Sequence, residues 1–137
     1  KYNKRGERLE LALDRHKEEA SKKVNKLRVF RGEIWMADLG YDNIKESEQR
    51  GYRPVLIIQN DIGNKYSPTV IVACITKQNK TDLPTHMKCE LFEPSTIMFE
   101  QVRTISKERL NKRIARLTEE EMQEVNERLK ISLGISI

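Results

Sequence analysis

Metal-binding residues are scarce in this chain. Its 137 residues include two cysteines and two histidines, and Cys74, Cys89, His16 and His86 form no CxxC, HxH or HxxxH spacing. No Asp/Glu cluster stands at ligand spacing within a strand or helix either, so neither a zinc centre nor another metal cofactor is expected. The same cysteine count argues against a disulfide framework and fits a reducing cytoplasm. The six glycines are scattered, which removes a phosphate-cradling glycine loop. The longest apolar run, Val70 to Ile75, is far too short to cross a bilayer. The basic N-terminus lacks the apolar stretch of a signal peptide. Paired-histidine catalysis would need His16, on an N-terminal helix, to meet His86, near the start of a strand. His86 by itself reads as a surface strand residue and His16 as a tolerated polar one. No histidine is evidently placed as base for a Ser or Cys nucleophile.

Positive charge is present but unevenly distributed. The formal net charge is +5, yet residues 1–31 carry +6 and residues 32–137 carry −1. A polyanion site in the main domain must therefore be a local basic patch rather than a global field. Hydrophobic content is 37% and charged content 34%, which predicts one lean core under a heavily charged surface.

The pattern divides the chain into a basic helical extension over residues 1–30 and a mainly β domain over residues 31–137. Glu7 to Leu27 contains no Pro or Gly, and Leu9, Leu13, His16, Ala20, Val24 and Leu27 form a narrow helical seam. This helix is either a solvated appendage or an arm for RNA, a partner chain or a second subunit. Gly32 to Asp38 predicts a first strand, and Leu39 to Gly51 a polar loop long enough to suggest function. Two β-branched runs follow, Arg53 to Asn60 and Pro68 to Thr76, with turn chemistry over Asp61 to Ser67. Thr85 to Phe92, Thr96 to Val102 and Arg113 to Leu117 predict further strands, and Ser106 caps a helical turn to Leu110. Thr118 to Glu121 is a capping box, opening a helix with Met122, Val125, Leu129 and Leu133 on one face and Gly134 as its stop. The expected architecture is a small, strongly bent β-barrel closed by a C-terminal helix.

Antiparallel pairing of the two central runs would bring Arg53, at the start of one, beside Thr76, at the end of the other. A guanidinium fork and a hydroxyl would then stand roughly 5 Å apart at Cβ, able to grip a phosphodiester. On these residues alone, an inert core hairpin with polar ends is the simpler reading. If the site is catalytic, one reaction suits it without a metal. RNA carries its own nucleophile, the 2′-hydroxyl, and needs only alignment, charge neutralisation and proton movement. Arg53 and Arg103 would clamp the phosphate, Thr76 would donate to a non-bridging oxygen, and Glu48 in the loop would take the 2′-proton. Tyr41, Tyr52 and Tyr66 lie in or beside loops, where bases can stack. Glu119, Glu120 and Glu121 need only complement a helix dipole.

At these residues the chain resembles the MazF/PemK family of toxin endoribonucleases, most closely its Gram-positive branch. The resemblance runs from about Arg31 to the C-terminus. It rests on Arg31-Gly32-Glu33-Ile34-Trp35, Ser47-Glu48-Gln49 with Gly51 and Arg53-Pro54, Gln59-Asn60-Asp61, Pro68-Thr69 through Thr76, Leu83-Pro84-Thr85-His86, and Glu100 to Ile105. It implies an SH3-like β-barrel, a homodimer, and metal-independent, sequence-specific cleavage of single-stranded RNA leaving a 2′,3′-cyclic phosphate and a 5′-hydroxyl. It also implies a cognate antitoxin whose disordered tail lies across the RNA groove. Carried over by motif, Arg53 and Thr76 are catalytic and Glu48 is a base, while Ser47, Gln49, Gln101, Arg103 and Lys77 bind RNA. The chain departs from the family at Glu46 and Arg50, where smaller residues are usual, in a shortened stretch between Cys89 and Thr96, and in its N-terminal helix. The alternative is a non-catalytic barrel of the same fold that binds nucleic acid or poisons DNA gyrase. The gyrase activity is associated with a C-terminal tryptophan, whereas the one tryptophan here, Trp35, lies in the first strand and reads as core or barrel face.

Overall fold

The computed structural model describes residues 27–40, 51–78 and 81–136. The predicted N-terminal helix, Tyr41 and Ser47, Glu48 and Gln49 lie outside these residues. The elements in chain order are β1 (Glu33–Asp38), β2 (Tyr52–Ile57), α1 (Asp61–Tyr66), β3 (Thr69–Thr76), β4 (His86–Glu90), β5 (Pro94–Ser106), a 3-10 turn (Lys107–Arg109), β6 (Leu110–Arg116) and α2 (Glu119–Leu133). One antiparallel sheet takes the order β4-β5-β3-β2-β1-β6.

Strand alternation sorts the apolar residues onto two faces. Trp35, Ala37, Val55, Ile57, Val72, Cys74 and Met98 share one buried cluster. Ile34, Leu56, Ala73, Ile75, Ile97 and Phe99 share the other, roofed by Val125 of α2. Leu110 at the β6 edge joins the first cluster together with Met98 and Ile105 of β5, although three strands separate β6 from β5. That contact requires the sheet to curl back on itself. Val29, 4% exposed, enters the same cluster ahead of β1, with Leu27 packed against it.

The two central runs pair as expected, but their connection is a short helix rather than a turn. Asn60 caps α1 by accepting from the Gly63 N–H at 2.8 Å. The Asp61 carboxylate accepts from the Arg31 N–H at 2.7 Å and the Asn64 amide at 3.0 Å. These local polar bonds complete a helical turn that β-propensity alone does not reveal.

β5 is longer than the sequence suggests because it is bulged. Its partners in β3 include Ala73↔Val102 and Cys74↔Met98, so Phe99, Glu100 and Gln101 are extra residues on one strand. The same strand can then pair with β4 at its start and with β3 along most of its length. β6 likewise begins at Leu110 instead of Arg113, directly after the Ser106-capped 3-10 turn.

In α2 the capping box forms as read: Thr118 Oγ1 accepts from Glu121 N–H at 3.1 Å and Glu121 Oε1 from Thr118 N–H at 2.9 Å. Gly134 ends the helix at φ 69°, a left-handed conformation that glycine adopts at little cost. Val125 is fully buried, and Met122 and Leu129 pack partly against the sheet. Leu133 does not complete that face; with Ile131 and Ile135 it projects from the last turn, 62% exposed.

Glu33 joins the entry segment to both β1 and β6. Its fully buried carboxylate accepts from Phe30 N–H at 2.8 Å, Trp35 Nε1–H at 3.2 Å and the Arg113 guanidinium at 2.9 Å. Glu33→Ala should cost about 3 kcal/mol, because it orphans two donors and a cation at once. Glu33→Gln, which keeps the acceptor, should cost less. Urea denaturation of the two variants checks the order.

Candidate active site

The β2–β3 pairs are Val55↔Cys74, Leu56↔Ala73 and Ile57↔Val72. Continued by two residues, that register sets Arg53 opposite Thr76, and alternation puts both on the face of Val55 and Cys74. Pro54 intervenes and has no N–H to donate to the ladder. On the other side of β2, Arg53 lies against Ala37. Two bonds close the stem of the β1–β2 connection, Leu39 N–H to Gly51 O at 2.8 Å and Gly51 N–H to Gly40 O at 2.9 Å. Arg53 stands at the foot of this stem. Gly40 is needed there: its φ is +75°, and a Cβ would meet the Arg109 guanidinium at 3.2 Å.

The row extends beyond the two residues that the sequence singled out. Thr76 pairs with Thr96, which pairs with Lys88. Arg53, Thr76, Thr96 and Lys88 thus form a polar line across four adjacent strands. Lys88 Nζ donates to Thr96 Oγ1 at 3.4 Å and lies 3.8 Å from Asp82. Thr96 Oγ1 donates to Gln78 O at 3.3 Å, while Thr76 Oγ1 accepts from Gln78 N–H at 3.3 Å. Thr76 is 2% exposed and Arg53 half-buried. A ligand reaching the threonine hydroxyl must displace what covers it. Sequence reasoning missed Thr96 and Lys88 because they join the line only through the registers of β3, β5 and β4.

The other candidates are more dispersed. Arg103 is opposite Val72, four residues from Thr76 along β3, on the order of 13 Å. Gln101 lies in the bulge. Both are half-buried and engaged in polar or electrostatic contacts. Lys77 follows Thr76 on the opposite face, 3.7 Å from Glu93, and borders a cavity of about 230 Å³ with Tyr52, Phe92 and Lys112. Among the described residues, no three His, Cys, Asp or Glu side chains converge as metal ligands. Burial, together with the Glu121 and Glu90 charges, pushes the Cys89 thiol up to about 11, leaving it a thiol rather than a nucleophilic thiolate at neutral pH.

His86 is not a surface residue. It is 7% exposed, with Nδ1 at 2.8 Å from Thr81 O and Nε2 at 2.8 Å from Glu100 Oε2. The two partners lie five residues upstream and fourteen downstream, which is why the isolated strand pattern did not reveal them. Burial raises the Glu100 carboxyl, but bonds from His86, its own backbone and Thr85, with the imidazolium charge, outweigh it and hold the carboxyl below its ordinary value.

The curled antiparallel sheet, its C-terminal helix and the polar line across the central strands define a small mainly β protein with one chemically distinctive sheet end. The chain belongs to the family described as PemK-like, MazF-like toxin of type II toxin-antitoxin system, which matches residues 30–133. It is 50% identical over 111 residues to a protein named Endoribonuclease MazF from Staphylococcus saprophyticus subsp. saprophyticus, covering 77% of this chain and 91% of that one. Its fold matches an endoribonuclease in complex with its cognate antitoxin from a mycobacterial species, with TM-score 0.67, 23% identity and coverage of 80% and 98%. It also matches MazF from Deinococcus radiodurans, with TM-score 0.67, 17% identity and coverage of 79% and 98%.

The lowered Glu100 carboxyl stabilises the fold above the unfolded carboxyl range, and this contribution is lost as pH falls through the folded value. Glu100→Gln should therefore flatten the acid limb of a melting-temperature profile recorded from pH 6 downward, leaving a smaller drop than in the parent below about pH 4. An unchanged acid limb would show that Glu100 carries none of it.

Proposed function

We propose that this chain is an endoribonuclease, the toxin of a toxin–antitoxin pair, cutting single-stranded RNA at specific sequences without a metal. Its sheet serves as an SH3-like barrel, it works in the cytoplasm as a homodimer, and a cognate antitoxin blocks it. The 50% identity to a staphylococcal endoribonuclease supports both the activity and the Gram-positive branch. Among the described residues no helix is long and apolar enough to cross a membrane.

The observation that carries the catalytic reading is the β2–β3 register, which, continued by two residues, sets Arg53 against Thr76. In that reading the RNA 2′-oxygen attacks the adjacent phosphorus, forming a P–O bond as the bond to the 5′-oxygen breaks. Glu48 takes the 2′-proton, and the departing 5′-oxygen takes up a proton to leave a hydroxyl. Arg53 neutralises charge on the phosphoryl oxygens while Thr76 donates to one of them. Ser47, Gln49, Gln101, Arg103 and Lys77 hold the RNA to either side. The placement of Arg103 four residues away suits a phosphate beyond the scissile one rather than a second arm of the clamp. The burial of Thr76 makes opening of this sheet end part of RNA binding. The exposed Ile131, Leu133 and Ile135 at the end of α2 are a surface for the second copy.

Arg53→Ala and Thr76→Ala should each lower cleavage by at least about 100-fold, since each removes transition-state hydrogen bonds. The assay uses a mixed-sequence RNA with EDTA present, and circular dichroism checks that both variants are folded. The downstream product should accept phosphate from a kinase without prior dephosphorylation, marking a 5′-hydroxyl. Full activity in either variant refutes the site, and a folded parent that binds RNA without cutting it returns the chain to the non-catalytic alternative. Removal of residues 1–26, which stops short of Leu27 and Val29 in the core, should leave cleavage intact.

A further inference from the structure

A second cavity, of about 680 Å³, opens between α1, the segment entering β1 and the 3-10 turn. That volume is typical of sites for small organic ligands. Phe30, Ile62 and Tyr66 give it an apolar wall, and each is substantially exposed. The far end of β3 serves it: Thr69 pairs with Ser106, next to Lys107, whereas Thr76 pairs with Thr96. Seven residues of strand, on the order of 23 Å, separate it from the Arg53–Thr76 line.

Lys107 marks this cavity as more than a surface dent. The residue is 4% exposed and lines the wall. Its ammonium donates to the Asn64 carbonyl, and among the described residues it forms no ion pair. Three N–H groups meet one acceptor. A buried charge is held at substantial cost unless something neutralises it, and a hydroxyl or amide could satisfy one helix carbonyl without that cost. Arg28 and Lys65 add two cations to the same rim, against the single carboxylate of Asp61. That carboxylate is turned to the Arg31 N–H and the Asn64 amide. The cavity is therefore apolar in body and positive in balance.

We propose that it binds a small monocarboxylate with an apolar body, the carboxylate received by Lys107 Nζ and the body lying against Phe30, Ile62 and Tyr66. A carboxylate would supply the acceptors and the negative charge that the ammonium lacks. This site does not depend on the nuclease reading, which concerns the opposite end of the sheet.

The test is a nuclear magnetic resonance titration of the full chain with 4-phenylbutyrate, and with 4-phenylbutanol as its uncharged match. The acid should give saturable shifts in the amides of residues 27–30, 61–66 and 107, with the alcohol at least ten-fold weaker. Lys107→Met should keep a melting temperature no lower than the parent's and lose at least ten-fold in affinity for the acid. Ile62→Asp, on the exposed apolar wall, should weaken the acid more than the alcohol, since both lose apolar contact and the acid also meets like-charge repulsion. Equal binding of alcohol and acid, shifts that do not saturate, or parental affinity in Lys107→Met would overturn the site and leave Lys107 as a cap on α1. Should Lys107→Met fail to fold, parental affinity for the acid in Ile62→Asp decides against the proposal.

Discussion

The pairing of β2 with β3 is the constraint from which the rest of the molecule follows. Val55, Ile57, Val72 and Cys74 all point into one core and are all essentially sealed from water. A slip of one residue would send every one of them to the other face. Burying a Val or Ile side chain is worth about 1.5–3 kcal/mol, so several such residues moving together make the register hard to shift. Arg53 and Thr76 are two residues further along the same strands and inherit their facing from it. The juxtaposition of a guanidinium with a hydroxyl is thus stabilised by apolar residues that have no part in the chemistry.

The bulge in β5 adds a second constraint. Three extra residues between Met98 and Val102 change which side chains share a row. Below the bulge, Thr96 and Lys88 join the line of Thr76. Above it, Arg103 is aligned with Val72. Had the register below the bulge continued, Arg103 would face Thr69, seven residues from Thr76; the insertion brings it to within four. The same insertion places Glu100 where it can meet His86 and Thr85. Bulges re-aim side chains in this way, and here one bulge both sets the level of Arg103 on the sheet and supplies the carboxylate that meets His86.

Local chemistry was legible in the sequence, and relations between strands were not. The two β-branched runs, the Ser106 cap, the Thr118–Glu121 box and the Gly134 stop all depend on neighbours within a few residues, and each formed where the pattern put it. The register of β2 with β3 was also readable, because a hairpin relates its strands by simple counting, and the opposition of Arg53 and Thr76 is its continuation by two residues. Counting fails at β5, where the bulge breaks the sum, so Thr96 and Lys88 were missed. The burial of His86 depends on Thr81 and Glu100, and the burial of Lys107 on the docking of α1. A charged or polar residue looks exposed in a linear reading because its partners come from other elements. The short α1 was hidden for the opposite reason: its cap at Asn60 and the Asp61 bonds are local, but the Asp-Ile-Gly-Asn sequence has equally good turn chemistry.

Charge placement differs between the two ends of the sheet. At the Arg53 end the cations occupy half-buried or exposed positions near polar partners, Lys88 beside Thr96 and Asp82, Lys77 beside Glu93. Such groups are hydrated and exchange partners at small cost, which suits a flexible, highly charged polymer that must bind and leave. At the Lys107 end the cation is buried in an apolar wall and has a carbonyl in place of a counter-ion. Dehydration there has already been imposed by folding, so a matching anion gains the interaction without first stripping water from the ammonium. The first arrangement favours many weak contacts along a strand; the second favours one contact to a small, mostly apolar molecule.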